Sequence, residues 1–182
     1  MNLWIFRMPD LKNRKLGRVY ISQGEFAIDG GDEALIATLL GSCISACLWD
    51  QKRQIGGMNH VVFVDETRNR GRSYGHGVNA MELLLNGLFR LGANREDLRA
   101  KVFGGASMID GLSDSGIQNA NFVRTFLQRE TIQIVGEDTG GRRARRLEFW
   151  PGSGRARVKY VSQSVPIMRE IEPKVANGVE LF

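Results

Sequence analysis

The sequence predicts an α+β fold: a layered α/β sandwich with mixed, largely antiparallel β-sheets and two main helices. Two observations predict it. Short apolar runs of strand length recur near 34–40, 43–49, 55–64, 101–103, 131–136, 146–150 and 156–160, several bounded by Gly, Asp or Asn. Only two stretches, near 79–91 and 120–128, carry a helical stripe, and they fall between runs of strands. Strands in runs with few helices between them point to α+β layers.

Along the chain, residues 1–17 are short, mixed and basic and read as a lead-in. The segments 34–40 and 43–49 form a sixteen-residue, nearly apolar stretch from Ala34 to Trp49, broken by Thr38, Gly41, Ser42 and Ser45. That is too short and too interrupted to span a membrane, so it reads as two buried strands with a turn at Gly41–Cys43. The strand at 55–64 opens on Gly56-Gly57, which suits either a close backbone contact or an ordinary hairpin. A polar loop follows from Asp65 to Gly77, rich in Arg and Gly.

The first helix is predicted from about Asn79 to Leu91, where Met81, Leu84, Leu85, Leu88 and Leu91 share one face and Gly92 supplies a stop. A short strand at Lys101–Phe103 runs into Gly104-Gly105, which free another backbone to approach. The loop 106–116 leads to a second helix at Ala120–Gln128, with Asn119 placed to cap it. In the last strand Ala156, Val158 and Tyr160 alternate with basic residues, the pattern of a half-buried antiparallel hairpin. Residues 18–162 form one domain in this reading. Residues 163–182, with little periodicity, read as an extended, unstructured tail, with docking of its last apolar pair, Leu181-Phe182, as the alternative.

The chain has 182 residues, 42% hydrophobic and 25% charged, the composition of one globular domain. The residues predict no export signal. Cys43 and Cys47 are therefore expected to stay reduced in a cytoplasmic protein. A net charge of +5 suits an acidic partner. Nucleic acid is not predicted, because zinc-finger spacing, an RNP-type aromatic motif and a recognition helix are all missing. The densest basic run, Arg142-Arg-Ala-Arg-Arg146, reads as a solvated hairpin tip.

Chemistry concentrates on Cys43 in Leu40-Gly41-Ser42-Cys43 and on His60 at the end of Gly56-Gly57-Met58-Asn59-His60. A thiol at a turn with an imidazole elsewhere is what a thiolate nucleophile and its base require. Gly41 gives the turn backbone freedom, and the N–H groups around Ser42 and Cys43 suit an oxyanion. Each residue also has a plainer role, Cys43 as a small buried thiol and His60 as a core histidine. Cys47 and His76 complete four potential zinc ligands. Fifteen residues separate the two histidines, however, and structural zinc sites bring ligands in close pairs. Neither metal nor cofactor is expected. Four residues of strand also hold Cys43 and Cys47 about 13 Å apart, too far for a disulfide.

The blocks Thr38-Leu-Leu-Gly-Ser-Cys-Ile-Ser-Ala-Cys-Leu-Trp-Asp50, Gly56-Gly-Met-Asn-His60 and Lys101-Val-Phe-Gly-Gly-Ala-Ser-Met108 resemble the CheD family of chemoreceptor glutamine deamidases. Ser115-Gly-Ile-Gln-Asn119 and Asp138-Thr-Gly-Gly141, followed by Arg145 and Phe149, extend the resemblance over about Ile21 to Tyr160. It implies the same layered fold and a protein-glutamine amidohydrolase with Cys43 as nucleophile and His60 as general base. It also implies methyl-accepting chemoreceptor helices as substrate and a CheC-like phosphatase as a further partner. Other thiol acyl transfer, by a transglutaminase or peptidase, would use the same residues, and a non-catalytic adaptor would use none of them.

The resemblance further implies a Thr that orients His60. In the family pattern the Thr stands six residues before the Cys, whereas Thr38 stands five before Cys43 and Ala37 takes the sixth place. On a strand such a shift turns the side chain to the other face unless a bulge absorbs it. Thr38 is thus either the partner of His60 or a β-branched strand filler. Ser42 and Asn59 are further orienting candidates.

Overall fold

The computed structural model describes residues 17–62, 70–107 and 115–161. In chain order they form β1 (Arg18–Tyr20), β2 (Phe26–Gly30), β3 (Leu35–Leu40), β4 (Ile44–Asp50), β5 (Ile55–Asn59), α1 (Arg70–Arg90), β6 (Leu98–Gly104), α2 (Ser115–Arg129), β7 (Gln133–Thr139), β8 (Arg145–Trp150) and β9 (Arg155–Tyr160). One sheet has the order β1-β3-β8-β9 and the other β2-β5-β4-β6-β7. Only β1 with β3 and β6 with β7 run parallel, so the fold is α+β with mixed, largely antiparallel sheets, as the strand pattern predicts.

The layers follow from the two faces of β4. Ile44, Ala46 and Leu48 point toward Met81, Leu84 and Leu88 of α1 and Val123 and Leu127 of α2. Cys47 and Trp49 point the other way, into a second core with Ile36, Leu40, Leu147 and Phe149 of the four-stranded sheet. Helices, five-stranded sheet and four-stranded sheet therefore stack as three layers. β4 is buried along its whole length, which is why its sequence is a continuous apolar run and not an alternating one.

Several elements differ from expectation for identifiable reasons. α1 begins at Arg70 and not near Asn79, so His76 lies in a helix. The first two turns carry Gly71, Gly75 and Gly77 and no apolar stripe, which left periodicity nothing to detect. α2 likewise begins at Ser115, placing Asn119 inside the helix and not at its cap. β2 is a strand that the sequence reading missed. Its Gly30-Gly31-Asp32 end looks like loop, yet Phe26 and Ile28 pack toward the helices. β5 stops at Asn59, earlier than the expected 64. The glycine pair in it serves close contacts on both faces, because a Cβ on Gly56 would lie 2.5 Å from the Pro151 carbonyl oxygen and one on Gly57 2.7 Å from Leu84.

The basic run at 142–146 is no hairpin tip. It carries the chain from β7 in one sheet to β8 in the other, and Arg145 within it is buried. The hairpin is β8 with β9, antiparallel from Arg145↔Tyr160 to Trp150↔Arg155. The lead-in before residue 17, residues 65–69 of the polar loop, most of the loop after Ser107 and the C-terminal tail lie outside the described residues. Among the described residues no helix is long and apolar enough to cross a membrane.

Candidate active site

The site forms where β3 turns into β4. Beyond the regular ladder of β5, Ile44 and Val61 exchange both backbone bonds, N–H of Ile44 to O of Val61 at 2.9 Å and the reverse at 2.8 Å. Cys47 faces Met58 across the same pair of chains. Counting between these two pairs sets Ser45 opposite His60. Side chains alternate along a strand, so Cys43, Ser45 and Cys47 share the inter-sheet face with Met58 and His60. Cys43, which packs against the same inter-sheet core, and His60 are thereby diagonal cross-strand neighbours on one face.

Thr38 reaches the same place from the other sheet. Its Oγ1 lies 2.8 Å from His60 Nδ1. No bulge is needed, since β3 pairs with β8 without a break from Ile36↔Phe149 to Leu40↔Arg145. Thr38 simply shares the inner face with Ile36 and Leu40. The parity expectation failed because Thr38 and Cys43 are not on one strand. The turn Gly41-Ser42-Cys43 separates them, so the face of one does not fix the face of the other.

The proton count fixes the imidazole. The Thr38 hydroxyl donates its one hydrogen to the Ile21 carbonyl, 2.7 Å away, so toward His60 it accepts, and Nδ1 carries the hydrogen. Nε2 is then the basic nitrogen. It is buried and has no partner among the described residues. Burial pushes the His60 pKa down to about 4, against the opposing pull of the Ile21 carbonyl. Burial also raises the Cys43 thiol, partly offset by its own backbone N–H. Both shifts favour a neutral thiol and a neutral imidazole at rest.

Neither spare orienting candidate touches the ring. Asn59 Oδ1 accepts the Ala46 N–H at 2.9 Å and its Nδ2 donates to Met81 Sδ at 3.2 Å. Its side chain replaces one rung of the β4–β5 ladder. His60 is held instead from the other side, donating N–H to Glu25 and accepting from Gly24. Ser42 contributes its backbone.

Three consecutive carbonyls of the turn are pinned. Gly41 accepts from Ala106 N–H at 2.9 Å, Cys43 from Gly105 N–H at 2.7 Å, and Ser42 from Asn119 Nδ2 at 2.8 Å. The N–H groups of Ser42 and Cys43 have no backbone acceptor among the described residues, and that of Cys43 lies beside its own sulfur. Such donors suit an oxyanion.

Close packing explains the glycines that follow. A Cβ on Gly104 would lie 2.3 Å from the Cys43 carbonyl oxygen, and one on Gly116 2.4 Å from that of Gly105. Behind them Arg145 acts as a strut. Its Nη2 donates to Asp138 Oδ1 at 3.1 Å and to Gly140 O at 2.6 Å, while Tyr160 donates its hydroxyl to Asp138. Gly140 N–H in turn donates to Gly104 O at 2.9 Å. Sequence reasoning missed the contact of Asn119 with the turn, because its Asn looked like a helix cap. It also missed Ser45, whose buried hydroxyl has no partner among the described residues and whose apolar neighbours read as core. Cys47 fills the core, its thiol pushed far up by burial. His76 lies in the first turns of α1.

The family described as CheD chemotactic sensory transduction matches residues 64–160. A probable chemoreceptor glutamine deamidase CheD of Acidiphilium cryptum is 42% identical over 177 residues, covering 91% of this chain and 93% of that protein. The chain belongs to the CheD family. CheD proteins of the same description from Caulobacter sp. strain K31 and Sinorhizobium medicae are 48% and 45% identical, over 147 and 176 residues. The former alignment covers 80% of this chain and 78% of that protein, the latter 91% and 96%. Among solved structures, Bacillus licheniformis hypothetical protein YfiH superposes with a TM-score of 0.42 at 14% identity, over 62% of this chain and 49% of that one. So distant a likeness carries no argument about the CheD site.

Proposed function

We propose that this protein is a chemoreceptor glutamine deamidase: it hydrolyses specific Gln side chains of receptor cytoplasmic helices to Glu and releases ammonia. The observation that carries the mechanism is the 2.8 Å contact of Thr38 with His60 Nδ1, which leaves Nε2 basic on the face shared with Cys43. His60 Nε2 takes the Cys43 proton as sulfur attacks the amide carbon. The oxyanion forms beside the N–H groups of Ser42 and Cys43 across the Gly41 turn. Nε2–H then protonates the amide nitrogen, the C–N bond breaks, and ammonia leaves a thioester. Water attacks the thioester with its proton passing to Nε2, and the C–S bond breaks as that proton returns to sulfur. Thr38 holds the tautomer throughout.

Action on receptor cytoplasmic helices puts the enzyme in the cytoplasm, where Cys43 stays reduced. Binding of a CheC-like phosphatase rests on the family resemblance. The test is ammonia release from a Gln-containing receptor fragment, with mass spectrometry of the product. Wild-type protein is expected to yield Glu and ammonia, and Cys43→Ala none. Deamidation that survives Cys43→Ala would overturn the thioester mechanism, and receptor binding without ammonia release would leave an adaptor.

A further inference from the structure

One face of the five-stranded sheet is covered by α1 and α2 and the other by the four-stranded sheet. No described helix packs on the outer face of the four-stranded sheet. Its register lays the outward side chains in rows. Tyr20, Ala37, Glu148 and Arg157 form one row, and Leu39, Arg146 and Lys159 the next. Trp150 and Arg155 pair at the far end, and Arg18 enters from β1.

This face is basic far beyond the average of the chain. Arg18, Arg146, Arg155, Arg157 and Lys159 are all exposed, against one carboxylate on that side of the sheet among the described residues, the buried Glu148. Arg18 and Arg157 hold that carboxylate at 2.7 and 2.6 Å. Arg146, Arg155 and Lys159 have no carboxylate partner among the described residues. Arg155 lies 4.1 Å above the Trp150 ring, and a guanidinium over an aromatic ring keeps its N–H donors for a planar acid. Apolar anchors sit between the charges, with Tyr20 62% and Leu39 50% exposed. The row of Leu39, Arg146 and Lys159 is the one nearest the site, since β3 runs from Leu39 through Leu40 into the turn that carries Cys43.

We propose that this outer face docks the receptor substrate as a carboxylate-rich helical surface, its Leu39 end steering a Gln toward Cys43. The proposal rests on the deamidase reading. Its charge logic is that of the reaction: each turnover turns a neutral amide into a carboxylate, so a substrate surface with several sites grows more acidic and more complementary as it is processed. Opposite potentials of this kind set encounter rate and orientation and weaken with salt.

The test compares wild type with R146E/R155E/K159E and the milder R146Q/R155Q/K159Q on a purified receptor cytoplasmic fragment, at low and high salt. KM is expected to rise at least about tenfold in the charge-reversed variant and less in the neutralised one. The kcat and the rate of Cys43 alkylation by iodoacetamide should hold, and the salt dependence of kcat/KM should flatten. Unchanged KM and salt dependence overturn the docking face while leaving the deamidase reading intact. An equal loss of kcat and alkylation in both variants overturns it too, as a structural effect. Tighter binding of duplex DNA than of the fragment at equal salt, lost in the variant, would make the face a nucleic-acid surface. If wild-type protein releases no ammonia, the deamidase reading falls, and binding of the labelled fragment by wild type and variant still decides the docking.

Discussion

Thr38 Oγ1 lies 2.8 Å from His60 Nδ1 and donates its own hydrogen to the Ile21 carbonyl at 2.7 Å. This two-bond relay crosses from one sheet to the other and fixes which imidazole nitrogen is basic. In the mechanism proposed above, Thr38 works through proton placement, the role that an orienting acid plays in other triads.

Thr38→Val keeps shape and strips the hydroxyl. It leaves Nδ1–H and the Ile21 carbonyl buried without their partner, so stability should fall by about 1–3 kcal/mol. Turnover should fall by about one to two orders of magnitude, because the ring is free to place its hydrogen on Nε2. Thr38→Ser should restore most of the activity. Steady-state ammonia release and thermal melts of the three proteins check this, and equal activity in the Val variant would remove Thr38 from the mechanism.

The pH profile follows from burial. His60 is pushed down to about 4 from 6.5, so the acid limb of kcat/KM should lie near pH 4 and not near 6.5. The same shift bears on stability. Between about pH 6.5 and 4 the unfolded chain binds a proton at this site that the folded one refuses, so stability falls as pH drops through that window, by on the order of 3 kcal/mol in full. Because burial raises the Cys43 thiol, its alkylation by iodoacetamide should accelerate only above the ordinary thiol range. An alkylation rate already at its plateau near neutral pH would mean a resting thiolate–imidazolium pair.

The legible parts of this fold are those whose signal is local. The run Ile44–Trp49 announced a buried strand, and the stripe from Met81 to Leu91 announced half of α1. The glycine-bearing start of α1 was not legible because it carries no apolar stripe, and the two-sided β2 was not because tertiary packing overrides weak propensity there. Within the site, Cys43 and His60 are conspicuous as residue types. Thr38 was ambiguous because parity along a strand does not carry through a turn. Asn119 was misread since a helix cap and an inward amide look alike in sequence.

Asn119 offers its Nδ2 to the Ser42 carbonyl at 2.8 Å. Asn119→Asp keeps the size and sets a carboxylate oxygen against that carbonyl, so the turn must shift or the acid must take up a proton. The kcat should fall at least about tenfold, with KM nearly unchanged, and the loss should ease at acid pH as the carboxyl protonates and donates. A pH-independent loss would mean that Asn119 matters only for packing α2.

Gly104 is the most demanding backbone position near the nucleophile. Its φ of +113° lies in a region that L residues rarely enter, and a Cβ there would sit 2.3 Å from the Cys43 carbonyl oxygen. Both obstacles are backbone, so no side-chain rotation relieves them. Gly104→Ala must either flatten its own dihedral, breaking the approach of Gly105 N–H to Cys43 O, or push the turn away from His60. Strain of this kind costs about 1–3 kcal/mol, which a domain of this size tolerates. Activity is more exposed, because a displacement of about 1 Å at a reacting atom costs about 100-fold. The expected result is a folded protein with a modestly lower melting temperature and at least about 100-fold slower ammonia release. Gly92→Ala provides the contrast: its φ of +95° is also strained, but a Cβ there meets nothing, so that variant should lose stability and keep its turnover. Equal activity losses in the two variants would show that general destabilisation, and not displacement of Cys43, accounts for the effect.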